Sequence, residues 1–513
     1  LRVSKCLEEC PKYGHSSRGR LVPPESGVRK REGRDMNYSV IRYILCRVLE
    51  FAALFMTLPL LVGLIYGESS AFYFLYVILG CLAVSLIGRR FKPKNQVLYA
   101  KEGFVTVSLS WILLSLVGAL PFYLSGEFPT YTDALFETIS GLTTTGATIL
   151  TDVEKLSKCI QFWRCFTHWI GGMGVLVLIL AVLPLSGSYN MHLMRAESPG
   201  PSVGKLVPKI KNTAMILYGI YLGITLIEIT VLMFAGLNLY EAATLTFSTV
   251  GTGGFGLLNS SIGSYSMTVQ TIFIIFMLLC GINFQVFYLL LIKKPKEAFG
   301  SEELRYYLGI VLAAALLIAF NVRGFFASGW EAFHHSMFQV VSVMTTTGFA
   351  TLDYNVWPEF SRAIIFLLTL LGACAGSTGG GFKVSRLIVL LRSIKNEIFS
   401  VIHPRGIKKL HMDGRIVEDG VIKSIQVYTM IYVMILLGSF VLVSLNEFDF
   451  VTNITAVATT FNNVGPGFNM VGPAGNYSAF SVFSKLVLMF DMLAGRLELI
   501  PMIVLLSPRM WRK

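Results

Sequence analysis

The stretch Thr345-Thr346-Thr347-Gly348-Phe349-Ala350 decides the interpretation of this chain, because similar stretches recur at three other places. The others read Thr144-Thr145-Gly146-Ala147, Thr252-Gly253-Gly254-Phe255 and Gly465-Pro466-Gly467-Phe468-Asn469. Each follows a modest helical stretch and lies between two long apolar runs. Glycine permits backbone conformations that other residues rarely adopt, so carbonyl groups can turn inward. Four such turns around one axis would form a ring of carbonyl oxygens that replaces the water around a cation.

The composition predicts a membrane protein. Of the 513 residues 54% are hydrophobic and only 14% are charged, whereas an average soluble domain carries roughly 25% charged residues. Runs of about 20 apolar residues are long enough to cross a bilayer. Ten such runs are present, at 41–66, 71–88, 104–124, 163–186, 213–236, 268–292, 306–322, 361–398 (interrupted), 423–445 and 480–507. We therefore expect an all-α integral membrane protein with ten transmembrane helices.

The net charge of +13 could indicate nucleic-acid binding, but its distribution favours another explanation. Basic residues concentrate in alternate loops, at 89–101, 195–211, 293–305, 395–415 and 509–513, while 124–133 and 446–450 are acidic or neutral. This is the positive-inside pattern, which places both termini in the cytoplasm of a multi-pass protein in the bilayer. We expect no nucleic-acid partner.

The recurring glycines reveal an internal repeat. Gly146, Gly253, Gly348 and Gly467 are spaced by 107, 95 and 119 residues, too long for a solenoid unit. The stretches before them, at about 131–143, 239–250, 330–345 and 450–463, are too short and too polar to span, and they fit re-entrant half-helices. The predicted divisions are two leading helices at 36–100 and four pore repeats at 101–200, 201–300, 301–415 and 416–513.

Residues 1–35 differ from the rest of the chain. They are polar, contain Gly, Pro and Arg, and show no hydrophobic periodicity. Met36-Asn37-Tyr38-Ser39 resembles a native start. We expect residues 1–35 to be an added leader outside the fold.

A single Thr-Gly pair in a membrane helix is usually a packing or turn glycine, since small residues are common at helix interfaces. Four at equivalent points of a repeat favour an ion filter instead. The candidate filter residues, which supply carbonyl or hydroxyl oxygens, are Thr144, Thr145, Gly146, Thr252, Gly253, Thr346, Thr347, Gly348, Gly465, Pro466 and Gly467. Phe255, Phe349 and Phe468 are expected to pack behind them.

A glycine-rich stretch interrupts the second helix of the third repeat. It reads Gly372-Ala373-Cys374-Ala375-Gly376-Ser377-Thr378-Gly379-Gly380-Gly381-Phe382-Lys383. It lacks the GxxxxGK[ST] pattern of a phosphate loop, and a kinked helix is the simpler alternative. Because a glycine run does not continue a stable helix, we predict an intramembrane gate loop at 375–381, beneath the filter.

Arg496 lies within the last apolar run, in Asp491-Met492-Leu493-Ala494-Gly495-Arg496-Leu497-Glu498. A charge inside a spanning helix is costly and usually functional. We predict a fixed positive charge near the pore, the alternative being an anchoring ion pair with Glu498 or Asp491. Lys383 and Arg386 are expected at the cytoplasmic mouth. No nucleophile–base arrangement or nucleotide cradle stands out, which argues against an enzyme.

These features resemble the Trk/Ktr/HKT superfamily of potassium uptake proteins, and the two leading helices favour its TrkH branch. The resemblance rests on the four glycine segments, Trp169-Ile170-Gly171-Gly172-Met173-Gly174, Cys280-Gly281-Ile282-Asn283-Phe284, the 376–383 stretch and Gly495-Arg496. It implies four M1–P–M2 repeats in a pseudo-fourfold ring, usually as a homodimer. It also implies a cytosolic, nucleotide-binding RCK (TrkA-like) subunit, which the basic loops at 191–212, 293–305 and 395–415 could meet.

In this family the filter glycines correspond to Gly146, Gly253, Gly348 and Gly467, the gate loop to 375–381 and the pore arginine to Arg496. A glycine at 146 favours potassium, because sodium-preferring relatives often carry serine there. Pro466 departs from the threonine of the other repeats. The implied K⁺ contacts are Thr145, Gly146, Thr252, Gly253, Thr347, Gly348, Pro466 and Gly467.

The sequence therefore predicts potassium uptake across the bacterial inner membrane, with K⁺ as transported ion and no organic cofactor. The alternatives are an ion-coupled (H⁺ or Na⁺) potassium symporter and a sodium-permeable relative. Two more distant rivals are a transporter built from inverted repeats, which the parallel loop charges oppose, and an intramembrane enzyme, which lacks a catalytic pair.

Overall fold

The computed structural model describes residues 36–91, 100–174, 210–406 and 408–511. The predicted leader at 1–35 and much of the basic loops at 89–101 and 191–212 lie outside the described residues. Within them the chain is almost wholly helical, apart from the antiparallel strands His411–Met412 and Arg415–Ile416. An Asp413-Gly414 turn joins these strands, and Gly414 has the positive φ of 72° that such a turn requires.

Six helices in the described part of the chain are long and apolar enough to cross a membrane. They are Tyr38–Tyr66, Ala71–Arg89, Lys101–Leu124, Asn212–Phe234, Glu302–Phe325 and Asp419–Asn446. Their outer faces carry exposed Leu, Ile and Phe side chains, as expected of helices that contact lipid. This confirms six of the ten predicted spans as continuous helices.

The helices before the glycine segments are short, as predicted. They are Tyr131–Leu142, Leu239–Val250, Gly329–Met344 and Phe450–Phe461, and we call them the pore helices. Each begins with a side-chain N-cap, from Thr130, Asn238, Ser328 or Asp449, which accepts the N–H of the residue three positions later. Such caps satisfy amide groups that a helix start leaves unpaired.

The apolar runs after the glycine segments are broken rather than continuous. Met267–Cys280 and Phe284–Leu291 meet at 90° around Gly281, Glu359–Leu371 is separated from Val384–Ile402, and Val482–Arg496 from Ile500–Leu506. In the first repeat Lys158–Gly172 ends at a glycine pair, and most of the remaining predicted span, 175–186, lies outside the described residues. The apolar runs at 268–292 and 480–507 therefore each contain a backbone break, which hydropathy does not register.

The described residues from Asn37 onward form one compact unit. One apolar core joins the two leading helices to the first and fourth repeats, and a second core joins the second and third repeats. Further short helices are Pro295–Gly300 and Pro508–Trp511, with 3-10 turns at Arg323–Phe325, Tyr354–Val356, Ser444–Asn446 and Asn469–Val471. The four glycine segments meet where these two cores adjoin.

Candidate functional site

The structure brings the four glycine segments together in a closed ring. A Cβ added at Gly146 would overlap the carbonyl oxygen of Gly253, and one at Gly254 would overlap that of Thr347. In the same way Gly348 approaches the carbonyl oxygen of Val464. The ring closes because a Cβ at Gly465 would lie 2.6 Å from the carbonyl oxygen of Thr145. Each repeat thus contacts the next, in chain order, through a glycine.

The same backbone conformation occurs in all four segments. A non-glycine residue with positive φ comes first: Thr144 at 57°, Thr252 at 56°, Thr346 at 58° and Asn463 at 56°. Two residues later follows a glycine with positive φ: Gly146 at 77°, Gly254 at 79°, Gly348 at 83° and Gly465 at 94°. These left-handed values are rare for residues with a Cβ, so they identify equivalent positions reliably.

This register corrects the sequence alignment of two repeats. The equivalents of Gly146 and Gly348 are Gly254 and Gly465, not Gly253 and Gly467. The residue before each ring glycine donates its N–H to the carbonyl five positions earlier: Thr145 to Ser140, Gly253 to Ser248, Thr347 to Ser342 and Val464 to Thr459. The sequence alignment relied on short Thr-Gly and Pro-Gly pairs. In the second repeat the glycine of the pair, Gly253, lies one residue before the ring glycine, and in the fourth repeat Gly467 lies two residues after it.

The correction changes the interpretation of the fourth repeat. Pro466 aligns with Ala147, Phe255 and Phe349 rather than with a threonine, and its carbonyl accepts the Tyr354 hydroxyl at 3.2 Å. Gly467 lies off the ring, where its N–H donates to the Val471 carbonyl at 2.6 Å. The fourth repeat therefore differs from the others just before its ring glycine, where it has Asn463-Val464 and the other repeats have Thr-Thr or Thr-Gly.

The carbonyl ring consists of the oxygens of Thr145, Gly253, Thr347 and Val464. Within the part of the chain that the structure describes, none of these four oxygens accepts a hydrogen bond. Buried carbonyl groups are almost always paired. Four unpaired ones at equivalent positions therefore indicate a site for an electron-poor ligand.

Most of the predicted hydroxyl ligands are engaged elsewhere. The hydroxyls of Thr145 and Thr347 lie 2.8 Å from those of Thr143 and Thr345. The Thr252 hydroxyl donates to the Gly251 carbonyl at 2.7 Å. The Thr144 hydroxyl is buried and has no partner among the described residues. The ring therefore presents main-chain rather than side-chain oxygens.

The electrostatics around the ring favour a positive ion. All four pore helices end at the ring, so their partially negative C-termini meet there. Above the ring lies a cavity of about 130 Å³, lined by Gly146, Gly254, Gly348, Gly465 and residues of the outer loops. Arg164 also lines it, but its charge is balanced by Glu137 at 2.5 Å. Phe255, Phe349 and Phe468 are buried, as expected for a packing role.

The predicted gate loop, 375–381, contacts the other side of the ring. The Gly380 N–H donates to the Thr346 hydroxyl at 2.7 Å, and the Thr378 hydroxyl donates to the Cys280 carbonyl at 3.3 Å. A Cβ at Gly379 would lie 2.8 Å from the Thr345 carbonyl oxygen. Gly376 accepts the Phe284 N–H at 3.0 Å, at the break of the second repeat. The loop therefore spans from the second repeat to the third.

Arg496 fastens this loop to the first repeat. Its guanidinium donates to the Thr378 carbonyl at 2.7 Å and to the Gly171 and Gly172 carbonyls at 2.6 Å. Glu498, the alternative partner, pairs instead with Arg386, and Asp491 accepts the Ser439 hydroxyl at 2.6 Å. Arg496 thus places a buried positive charge between the predicted gate loop and the end of the helix Lys158–Gly172.

Three charged residues next to the loop were missed or misplaced. Glu303 accepts the N–H groups of Ala375 at 2.7 Å and of Ser385 at 3.1 Å, so one carboxylate holds both ends of the loop. Lys383 and Arg386 are buried, not at an exposed mouth. Lys383 donates to the Gly379 carbonyl. The sequence signal for Lys383 was a lysine two residues after a glycine run inside an apolar segment.

The long apolar helices and the site between them define a multi-pass membrane protein of the cation transport class. The chain belongs to the TrkH family, whose family model, described as a cation transport protein, matches residues 70–325 and 327–513.

Relatives support this assignment. The chain is 35% identical over 469 residues to the Trk system potassium uptake protein TrkH of Salmonella typhimurium, covering 89% of this chain and 96% of that protein. It is 34% identical to the Trk system potassium uptake protein TrkG of Escherichia coli, covering 93% and 100%. The crystal structure of the potassium transporter TrkH from Vibrio parahaemolyticus matches with a TM-score of 0.83 at 30% identity, covering 93% of this chain and 100% of that one.

Proposed function

We propose that this chain forms the ion pathway of a potassium uptake system in a bacterial inner membrane. Relatives that carry the name potassium uptake protein match nearly their whole length. The observation that carries the proposal is the closed ring of unpaired carbonyl oxygens from Thr145, Gly253, Thr347 and Val464. Rings of this kind replace the hydration shell of potassium in selective pores.

In the proposed site K⁺, the transported substrate, lies on the axis of the carbonyl ring. The left-handed glycines Gly146, Gly254, Gly348 and Gly465 let neighbouring repeats approach closely enough for the oxygens to converge. The C-termini of the pore helices add negative potential at the same point. Descending a membrane potential of 100 mV gains about 2.3 kcal/mol per charge, which supports accumulation without another fuel.

The proposed architecture is ten spans, two leading and eight in four repeats of helix, pore helix and helix. It is supported by the identical hydrogen-bonding pattern of the four filter turns. Each second helix is broken or ends at the level of the gate loop or of Arg496. We further propose cytoplasmic termini and a homodimer, as the loop charges and the family resemblance imply.

The gate in this proposal is the 375–381 loop in its shut position. The loop lies beneath the ring and is tied to the first repeat by Arg496. Movement of the Arg496 side chain would release the Thr378 carbonyl and remove a positive charge from the path of the ion. The guanidinium therefore both fastens the loop and repels a cation that has left the ring.

A route from the cytoplasmic face to the gate runs through the helix that starts at Glu302. Asp413, in the hairpin turn, accepts the Glu302 N–H at 2.7 Å, and Arg392 pairs with the Glu302 carboxylate at 2.6 Å. The next residue, Glu303, holds both ends of the gate loop. We propose that an RCK-type (TrkA-like) partner binds the exposed basic surface of Lys395, Lys408 and Arg415 and acts through this hairpin.

Ion-coupled potassium symport is the second candidate, because of Glu228. This carboxyl group is fully buried within the span Asn212–Phe234. Ionisable groups inside membrane spans commonly belong to ion or proton pathways. If Glu228 couples uptake to protons, Glu228→Gln should abolish the dependence of uptake on a pH gradient while the filter stays selective.

Rubidium uptake by a potassium-starved host that lacks its own uptake systems tests the proposal. We expect uptake that K⁺ competes strongly and Na⁺ weakly, and growth at low external K⁺. Membrane-inserted protein that supports neither uptake nor growth, with or without a co-expressed RCK subunit, would contradict the proposed function.

A further inference from the structure

The second repeat lacks a pair of side chains that supports the ring elsewhere. In the first and third repeats the hydroxyls of Thr143 and Thr145, and of Thr345 and Thr347, lie 2.8 Å apart behind the ring carbonyl. The register derived above places Gly251 and Gly253 at the equivalent positions of the second repeat. This repeat therefore has no side chain of its own at either position.

The space behind Gly253 is occupied by a residue of the first repeat. A Cβ added at Gly253 would overlap the Cγ, Cδ2 and Nδ1 atoms of the His168 imidazole. A Cβ at Gly251 would overlap the main-chain carbonyl of the same histidine. The helix Lys158–Gly172 also approaches closely at its end, where a Cβ at Gly172 would lie 2.8 Å from the Gly251 Cα.

The imidazole is held by two residues of the second repeat, one in its pore helix and one directly after its ring glycine. Its Nδ1 lies 3.2 Å from the hydroxyl of Ser248, and its ring stacks on Phe255 with centroids 4.2 Å apart. The Ser248 carbonyl in turn accepts the Gly253 N–H at 2.8 Å. His168 is fully buried, so no water competes for these contacts.

We propose that His168 is a positioning residue of the ion filter, which replaces the missing side chain of the second repeat and fixes the Gly253 carbonyl in the ring. The inference rests on the proposed function, because it assigns a second-repeat support to the same ion site. It makes cation selectivity depend on a residue that contacts no ion and belongs to a neighbouring repeat.

The backbone itself does not exclude a side chain at position 253. Gly253 is not among the glycines with positive φ, in contrast to Gly254. The three atoms nearest to an added Cβ at Gly253 all belong to the imidazole, whereas at Gly251 they all belong to the main chain. A side chain at 253 should therefore become acceptable once the imidazole is removed, while one at 251 should not.

The experiment is a double-mutant cycle measured in membranes and in proteoliposomes of the full chain. We expect Gly253→Ala to reduce the K⁺ over Na⁺ selectivity of uptake by about tenfold or more, because overpacking displaces the ring carbonyl. His168→Ala should reduce selectivity by several-fold. The double variant Gly253→Ala/His168→Ala should recover selectivity to within about threefold of His168→Ala, which reveals direct coupling.

Gly251→Ala, alone and with His168→Ala, is the matched control, and it should show no recovery. His168→Asn, which keeps a polar side chain that can hydrogen-bond with Ser248 in either direction, should retain more selectivity than His168→Ala at equal membrane abundance. The inference would be overturned if Gly253→Ala reduced selectivity by the same factor in the wild-type chain and in the His168→Ala variant. A double variant that is absent from the membrane would overturn it as well. Failure of the proposed function differs, since the wild-type chain would then show no potassium transport at all.

Discussion

The two layers of the candidate ion pathway are built in opposite ways. The carbonyl ring is formed four times over by one backbone motif, with matching φ values and matching hydrogen bonds in every repeat. The layer beneath it is formed once, by the 375–381 loop, Arg496, Glu303 and Lys383. Among the described residues, which leave out 175–209 of the first two repeats, no other repeat contributes an equivalent of this loop.

The difference separates two tasks. A symmetric ring of oxygens suits a spherical ion, because each repeat contributes an equal share of the coordination. A barrier needs only one movable element, and charged contacts can switch it between two discrete arrangements. We therefore expect substitutions in the ring to change which ion passes, and substitutions beneath it to change how often any ion passes.

Gly348→Ser should have the largest effect, because it adds a side chain at a φ of 83° and against the Val464 carbonyl oxygen. Left-handed backbone alone costs about 1–2 kcal/mol for a residue with a Cβ. We expect K⁺ over Na⁺ selectivity to fall by about a hundredfold, given the added overlap. Competition uptake assays measure it. Gly309→Ser, on a helix face with no atom within 4 Å, is the control and should stay selective.

Gly465→Ala and Gly467→Ala test the corrected register of the fourth repeat. Gly465 has a φ of 94°, and its Cβ would lie 2.6 Å from the Thr145 carbonyl oxygen. A Cβ at Gly467 would instead meet the side chains of Thr455 and Val471 at 2.9 Å, away from the ring. We expect Gly465→Ala to reduce selectivity at least about tenfold more than Gly467→Ala does. If Gly467→Ala reduced selectivity more than Gly465→Ala in the same uptake assay, Gly467 rather than Gly465 would be the equivalent of Gly146 and Gly348.

Arg496→Ala should act on the lower layer only. It removes three hydrogen bonds that tie the 375–381 loop to the first repeat, together with a buried positive charge. We expect flux into proteoliposomes without a partner subunit to rise by about tenfold, with the K⁺/Na⁺ ratio preserved. Arg323→Ala, at an exposed position, is the control. Unchanged flux would argue that the arginine is no barrier.

Glu303→Gln should have the smallest effect of the four. The amide oxygen can still accept from Ala375 or Ser385, but it is uncharged and therefore a weaker acceptor. We expect leak to rise by about threefold at unchanged selectivity. Glu297→Gln, in an exposed ion pair with Lys294, provides the comparison. If both substitutions change leak equally, the contacts of Glu303 to the loop ends have no special role.

The sequence predicted the membrane class and the pore helices well, since both depend on local pattern. The short, polar stretches ahead of the glycine segments predicted each pore helix to within about two residues, the usual uncertainty of helix ends. The register of Gly254 and Gly465 was not predictable from dipeptides, because positive φ depends on contacts between repeats. The buried positions of Lys383 and Arg386 were missed for a similar reason: their partners, Gly379 and Glu498, become neighbours only after the loop folds back.

The most direct test of the central claim is anomalous X-ray scattering from crystals of this protein grown in a rubidium or thallium salt. The account predicts a peak on the axis of the ring, coordinated by the carbonyl oxygens of Thr145, Gly253, Thr347 and Val464. A ring without such a peak, or a peak bound instead by Pro466 and Gly467, would contradict it.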